Sequence, residues 1–269
     1  MLAPSGTLSL PVDWVFPHPL LPPYAPLPRE TRAMCRTEHT EGQDMRIDDN
    51  VVARHPATIM GLLEAQGLTG ADTAGWDSLK TRETETFRHR LRDYNRKAAS
   101  LTHPVSCYTR YYRRYGKSYP VQLQMESVVL KARDIKAACL AVETMFLAEV
   151  RHGLLVAGHD TATLRGDFVL DAAAGGETFT TVSGQSRTLK ADDLYLADGD
   201  VILSSVLEGQ AQASSLTADS TDVLYCVYGV EGVTRTDMEA FFDDLRRYIL
   251  TAYPHASVGC PAYHAAVPA

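Results

Sequence analysis

The sequence predicts an α+β fold, with helices packed on a meandering, mostly antiparallel sheet, and three observations carry that expectation. The segment KAACLAVETMFLAEVRHG at 136–153 has apolar residues around much of its circumference, as a mostly buried helix would. From 154 to 230 the period changes to short β-rich runs separated by Gly, Asp and Ser turns. An amphipathic helix at 236–253 then closes the pattern. Helices, a strand-rich block and a last helix point to α+β rather than to alternating βαβ units.

Taken in order, residues 1–50 read as a proline-rich extension and 51–269 as the folded domain. In PHPLLPPYAPLP the prolines fix φ and remove backbone donors, which favours an extended lead-in, anchored by Trp14 and Phe16 where it packs. DSLKTRETETFRHRLRDYNRKAAS, at 77–100, interleaves opposite charges around Leu79, Phe87, Leu91 and Tyr94, which describes a largely exposed helix. Its basic residues are either a solvated face or an RNA contact. CYTRYYRRYG and VQLQMESVVLKARDI read as short helices, and Gly153 stands as the C-terminal stop of the buried one. GDFVLDAA, ETFTTVSGQSRTL, DLYLADGDVILSSVLEG and TDVLYCVYGV are the expected strands. In the closing helix Thr236 and Glu239 have capping-box spacing, and Met238, Phe241, Phe242, Leu245, Tyr248 and Ile249 form one stripe ahead of Pro254. No internal repeat is visible.

Composition narrows the function classes. A chain of 269 residues at 45% hydrophobic can bury a sizeable core. No apolar run approaches the roughly 18 to 20 residues of a membrane helix, and the first residues lack the basic region of a signal peptide, so a cytoplasmic protein is expected. Cys35, Cys107, Cys139, Cys226 and Cys260 are widely spaced and include no Cys-x-x-Cys pair, which suggests isolated thiols rather than a disulfide framework or zinc site. A net charge of -7 argues against broad nucleic-acid binding but permits contact with one RNA end. Walker, Gly-x-Ser-x-Gly, dinucleotide-binding and His-Glu-x-x-His motifs are absent. His152, His159 and Asp160 lie close in sequence but match no metal-ligand spacing, so neither metal nor cofactor is expected.

From residue 55 onward, the order HP, YRRYG, ESVVLKARDI, AVETMF, AGHD, LRGDFVLDAAAGGETF, LYLADGDVILSSVLEG and TADSTDVLY is similar to the B3/B4 domain. That domain occurs in the β subunit of bacterial phenylalanyl-tRNA synthetase and in free-standing synthetase-like proteins. The stretch GDFVLDAAAGGETFTTVSGQSRTLKADDLYLAD carries the most specific part of the resemblance, including the Gly176-Glu177 turn. The resemblance implies an editing module that hydrolyses the ester of a tRNA charged with tyrosine instead of phenylalanine. Such a site needs a side-chain pocket, a polar group that tests for the extra hydroxyl, and a held water.

By that resemblance AGHD is a turn whose His159 lines the pocket, orienting water or touching the terminal adenosine, with Asp160 beside it as a substrate-binding residue; the alternative is that His159 braces the turn while Asp160 caps the next segment. Glu143 stands where family members have an asparagine, with Leu140 in place of the associated aspartate, and is either a general base or an exposed helix residue. Arg113 and Arg114, before Gly116, are expected to hold a carboxylate or phosphate, and Glu208 to test a polar substrate group. Three functions stay open. The first is a free-standing deacylase of mischarged aminoacyl-tRNA. The second is a repurposed enzyme for a free amino acid or aminoacyl derivative, and the third a non-catalytic binder of an amino acid, an RNA end or a protein. If Arg82, Arg88, Arg90, Arg92, Arg96 and Lys97 converge with Arg113 and Arg114 on one cleft, tRNA gains; closure of that cleft by the N-terminal extension favours a small substrate. Nothing indicates the oligomeric state.

Overall fold

The computed structural model describes residues 45–266, so the extension lies outside the described residues as far as residue 44. The strands, in chain order, begin with β1 (Met45–Ile47), β2 (Ile59–Gln66), β3 (Val156–Asp160), β4 (Phe168–Ala172), β5 (Thr178–Thr180) and β6 (Ser186–Thr188). They continue with β7 (Leu194–Asp198), β8 (Val201–Ser205), β9 (Gly209–Gln210), β10 (Val223–Gly229), β11 (Ser257–Val258) and β12 (Ala262–Ala265). The helices are α1 (Asp49–Arg54), α2 (Thr73–Arg90), α3 (Arg96–Ala99), α4 (Val105–Arg113), α5 (Pro120–Leu130), α6 (Leu140–His152) and α7 (Arg235–Ala252).

The fold is α+β, but the strand-rich block divides between two sheets instead of forming one meander. One sheet has the order β1-β4-β7-β8-β9, with β1 parallel to β4 and the other pairs antiparallel. The other has the order β11-β2-β10-β3, with β12 also on β2, and is antiparallel throughout. β5 and β6 form a separate hairpin. The division follows from β10, whose seven residues are all buried and which accepts β2 on one side and β3 on the other. β2, far upstream of the block, was not apparent from alternation because most of its residues are buried.

The helices follow their sequence signals with three differences. The exposed helix expected over 77–100 is two pieces, α2 and α3, separated by a turn, with Asn95 capping α3 by accepting from the Ala98 amide at 3.0 Å. α2 is also less exposed than its charges suggest, since Trp76, Leu79, Glu83, Thr84 and Phe87 are buried. The capping box of α7 is Thr234 with Asp237, two residues before the expected pair, while the predicted stripe is buried throughout. α6 stops at Gly153 as expected: its φ of 66° lets its amide close onto the Glu149 carbonyl at 2.7 Å.

α7 lies unusually close to the β2–β10 pair. A Cβ added at Gly61 would stand 2.6 Å from the Phe242 ring, and one at Gly229 would stand 2.5 Å from Ile59 Cγ2 and from Met238 Cε. Above the sheet, α7 is tied to α2 and α6 by a buried charge network. Arg151 reaches Asp244 at 2.6 Å and Glu83 at 2.7 Å, Arg247 reaches the same two carboxylates at 2.8 and 3.1 Å, and His152 lies 2.9 Å from Asp244. The hydrogen bond with His152, together with the Arg151 and Arg247 guanidiniums, holds the Asp244 carboxyl well below the usual range despite its burial. On the neighbouring turn of α6, Glu149 has no such cation; burial pushes its carboxyl up to about 8, and its Oε2 has no hydrogen-bond partner.

Two outcomes are expected. Gly61→Ala and Gly229→Ala should each destabilise by about 1–3 kcal/mol in denaturant unfolding, because backbone or aromatic groups must yield to the new methyl. For Glu149 the raised value means that the folded state keeps a proton which the unfolded chain releases, so stability falls as pH climbs from the ordinary carboxylate range to about 8. Glu149→Gln should remove that slope and gain about 1–3 kcal/mol near the upper end, as read from melting curves across pH.

Candidate functional site: a basic cleft

A cleft of about 680 Å³ opens between α3, the C-terminal part of α4 and the start of α5. Arg96 and Lys97 come from α3, Thr109 and Arg113 from one face of α4, and Lys117 from the turn that follows Gly116, whose φ is +68°. Gly116 supplies a left-handed conformation that ends α4 and turns Lys117 back along the wall. Two of the four cations are held in place by acids: Arg96 is paired with Glu126, which also accepts from Tyr94 at 3.0 Å, and Lys117 is paired with Glu208. Among the described residues, Lys97 and Arg113 have no acidic partner, so the cleft keeps a positive bias inside an acidic chain. Thr109 Oγ1, also in the lining residue set, is buried without a hydrogen-bond partner.

Glu208, the partner of Lys117, is itself held in place. The Glu208 amide donates to Ser205 Oγ at 2.9 Å, and Ser205 Oγ donates to Asp193 at 2.7 Å. Asp193 also accepts from the Tyr111 hydroxyl at 2.9 Å, and burial pushes its carboxyl up to about 6. Next along β8, the Ser204 hydroxyl lies 3.2 Å from His159 Nε2 and 2.5 Å from the Tyr228 hydroxyl. His159 Nδ1 lies 2.8 Å from Ser214 Oγ.

His159 therefore sits in a strand rather than in a turn, paired with Leu224 across β10, and is fully buried. Both ring nitrogens are engaged, and burial pushes its pKa down to about 3, so the ring is neutral near pH 7. It joins one sheet through β3 to the other through Ser204. Asp160 behaves as the capping alternative describes, accepting from the Ala162 amide at 3.0 Å and from Ser220 Oγ at 2.6 Å. Glu143 is buried rather than exposed, and accepts from Trp76 Nε1 at 2.8 Å and Lys80 Nζ at 2.6 Å. Those contacts join α6 to α2, away from the residues that line the cleft.

The structure thus places Arg113 in the cleft lining and Glu208 next to it only through its ion pair with Lys117, whereas His159 is not among the lining residues. Arg114 turns away to Glu231 at 3.2 Å. Of the basic residues of 77–100, Arg96 and Lys97 reach the cleft, whereas Arg88 donates to the Val128 and Arg133 carbonyls and Arg92 pairs with Asp93. Sequence reasoning missed Lys117 and Thr109; the signal for Lys117 was its position directly after Gly116 in a basic run. Cys260 is disulfide-bonded, against the expectation of isolated thiols, while Cys107 and Cys226 are buried and free and Cys139 is half-buried. Among the described residues, no helix is long and apolar enough to cross a membrane.

His159→Ala should lower stability by about 2–4 kcal/mol, because it opens a cavity and strands the Ser204 and Ser214 hydroxyls. Denaturant unfolding measures this directly, and a change below 1 kcal/mol would contradict the bridging role, at roughly the worth of a single hydrogen bond.

Comparison with known proteins completes the description. Curated proteins give no match. Among solved structures, an N-terminal fragment of the phenylalanyl-tRNA synthetase beta-subunit from Pyrococcus horikoshii is similar at 10% identity and a TM-score of 0.42, covering 80% of this chain and 50% of that one. This chain therefore corresponds to about half the length of that fragment. The model of the B3/4 domain matches residues 108–243, from the middle of α4 to the middle of α7, and by that match over half its length the chain belongs to the B3/4 domain family.

Proposed function

We propose that this protein hydrolyses the ester of a mischarged aminoacyl-tRNA in trans, with the RNA end docked in the basic cleft. The observation that carries the proposal is the convergence of Arg96, Lys97, Arg113 and Lys117 on one cleft in a chain whose net charge is -7. Two of these cations are unneutralised and stand ready for phosphate, while the Arg96–Glu126 and Lys117–Glu208 pairs give the walls a defined shape. Localised positive charge suits recognition of one RNA end, not a long duplex.

The chemistry asked of the cleft is modest. An aminoacyl ester is already activated, so a positioned water and donors to the developing oxyanion suffice. Arg113 is the donor with no competing carboxylate, and Glu208, fixed through Lys117 and Ser205, serves by holding Lys117 at the cleft. His159 is not among the cleft residues and is assigned to linking the two sheets through Ser204, not to accepting a proton. Its lowered pKa supports this assignment, since a group neutral down to about pH 3 and bonded at both nitrogens has no site left for a substrate proton. Glu143 is assigned to holding α2 against α6.

A second reading has one observation in its favour. The cleft volume of about 680 Å³ falls in the range of small-molecule sites, roughly 300–1,000 Å³, so a free amino acid or aminoacyl derivative would also fit.

The test is time-resolved release of amino acid from correctly and wrongly charged tRNAs, with free amino acids followed beside them by mass spectrometry. Selective ester loss from one mischarged tRNA is expected, reduced about tenfold or more in Arg113→Ala and weakened by salt more steeply in the wild type than in Lys97→Ala. Stable esters across the panel would overturn the proposal, and a mass change confined to a free amino acid would establish the small-substrate reading.

A further inference from the structure

Away from the cleft, three side chains stand in the order nucleophile, base and carboxylate. Cys107 Sγ lies 3.7 Å from His103 Nδ1, and His103 Nε2 lies 2.8 Å from Asp237 Oδ2. Separate elements bring them together: the turn ahead of α4 supplies His103, the first turn of α4 supplies Cys107, and the first turn of α7 supplies Asp237. The carboxylate is itself fixed, because Asp237 Oδ2 accepts from the Thr234 amide at 2.8 Å and the Thr234 hydroxyl at 2.7 Å. With a carboxylate accepting at Nε2, the neutral ring carries its proton there and leaves Nδ1 as the acceptor that faces the thiol.

The thiol is nearly buried, which restricts any acyl donor to a small one. Cys107 is 4% exposed, and the segment over it is the turn at exposed Gly232, whose φ is +96°. A Cβ added there would stand 2.9 Å from Cys107 Sγ and 3.1 Å from the Arg110 guanidinium, so the turn packs close to the sulfur and only a glycine keeps a side chain off it. Cys107 and Arg110 meet this turn, whereas Thr109 and Arg113 line the cleft, so the two sites use different faces of α4.

We propose that Cys107, His103 and Asp237 form a second site, in which the thiol accepts the acyl group of small activated esters and water then releases it. His103 Nδ1 takes the thiol proton as Sγ bonds to the acyl carbon. The ester C–O bond breaks, and the leaving oxygen departs as an alcohol with the proton from His103. A water next attacks the thioester, giving its proton to His103, and the C–S bond breaks to release the acid while Sγ regains the proton. Nothing is oxidised or reduced. Cys107 is the nucleophile, His103 the base, and Asp237 a positioning residue that sets the ring's tautomer and direction.

The probe is p-nitrophenyl acetate, with acetylated cysteines located by peptide mass spectrometry and half-buried Cys139 serving as an internal reference. Acetylation of Cys107 is expected, slowed at least about tenfold in His103→Ala with the Cys139 rate unchanged, and partly restored by added imidazole. Asp237 also caps α7, so Glu239→Gln, which removes the Arg235 pair near the start of the same helix, is run beside Asp237→Asn: the first should keep the wild-type pH–rate profile of Cys107 acetylation, and the second should lose it. Failure of Cys107 to acetylate, an equal rate in His103→Ala, or the same profile in both α7 variants would overturn the proposal. Because Cys107 is read by its own adduct, these outcomes are independent of tRNA deacylation in the cleft.

Discussion

The close approach of α7 to the β2–β10 pair is the constraint on which the rest of the molecule depends. Gly61 and Gly229 sit where any larger residue would meet Phe242, Met238 or Ile59, so the helix can descend onto the sheet only at these two points. Once it has done so, its stripe from Met238 to Ile249 is removed from water, and burial of that apolar surface is the main favourable term. The same descent sets the height at which Asp244 and Arg247 meet Glu83, Arg151 and His152. It also brings Asp237, at the other end of α7, against His103.

Polar groups inside this core divide labour by whether their charge is compensated. Asp244 keeps its charge because His152 and two arginines surround it, and the network therefore fixes three helices relative to one another. His159 and Glu149 have no such compensation and stay neutral near pH 7, the first as a link between the sheets and the second as a buried acid with one unpaired oxygen. Burial alone thus sends a histidine down and a glutamate up, and removes from both the charge that acid–base work would use. His159 and Ser204 link the two sheets, while the next residue of β8, Ser205, holds the amide of Glu208, which pairs with Lys117 of the cleft.

Several features were legible from residues close in the chain. The buried character of α6, its stop at Gly153, the stripe of α7 and the family resemblance that led to the B3/4 assignment all rest on local order. Arg113 was also legible from a local motif and lines the cleft, and Glu208, legible in the same way, pairs with the lining residue Lys117. His159 was legible as a residue of consequence, but its role was not: the same Gly-His-Asp that reads as a turn becomes a strand once β10 is available to pair with it. Glu143 shows the same limit. A glutamate on a helix looks solvent-facing until Trp76 and Lys80 arrive from sixty residues away in another helix.

By itself the sequence determined the α+β class, the helix periods and stops, most strand runs and the membership that its motif order suggests, because these depend on propensities and spacings within a few turns of chain. Only the tertiary structure decided which strands share a sheet, which cations face one cleft, and that His159 is neutral and Asp244 charged. Those outcomes depend on partners far apart in the chain, 134 residues for His103 and Asp237 and 164 for Glu83 and Arg247, and on the loss of water around them. Neither the partner nor the dehydration is encoded at the residue they control.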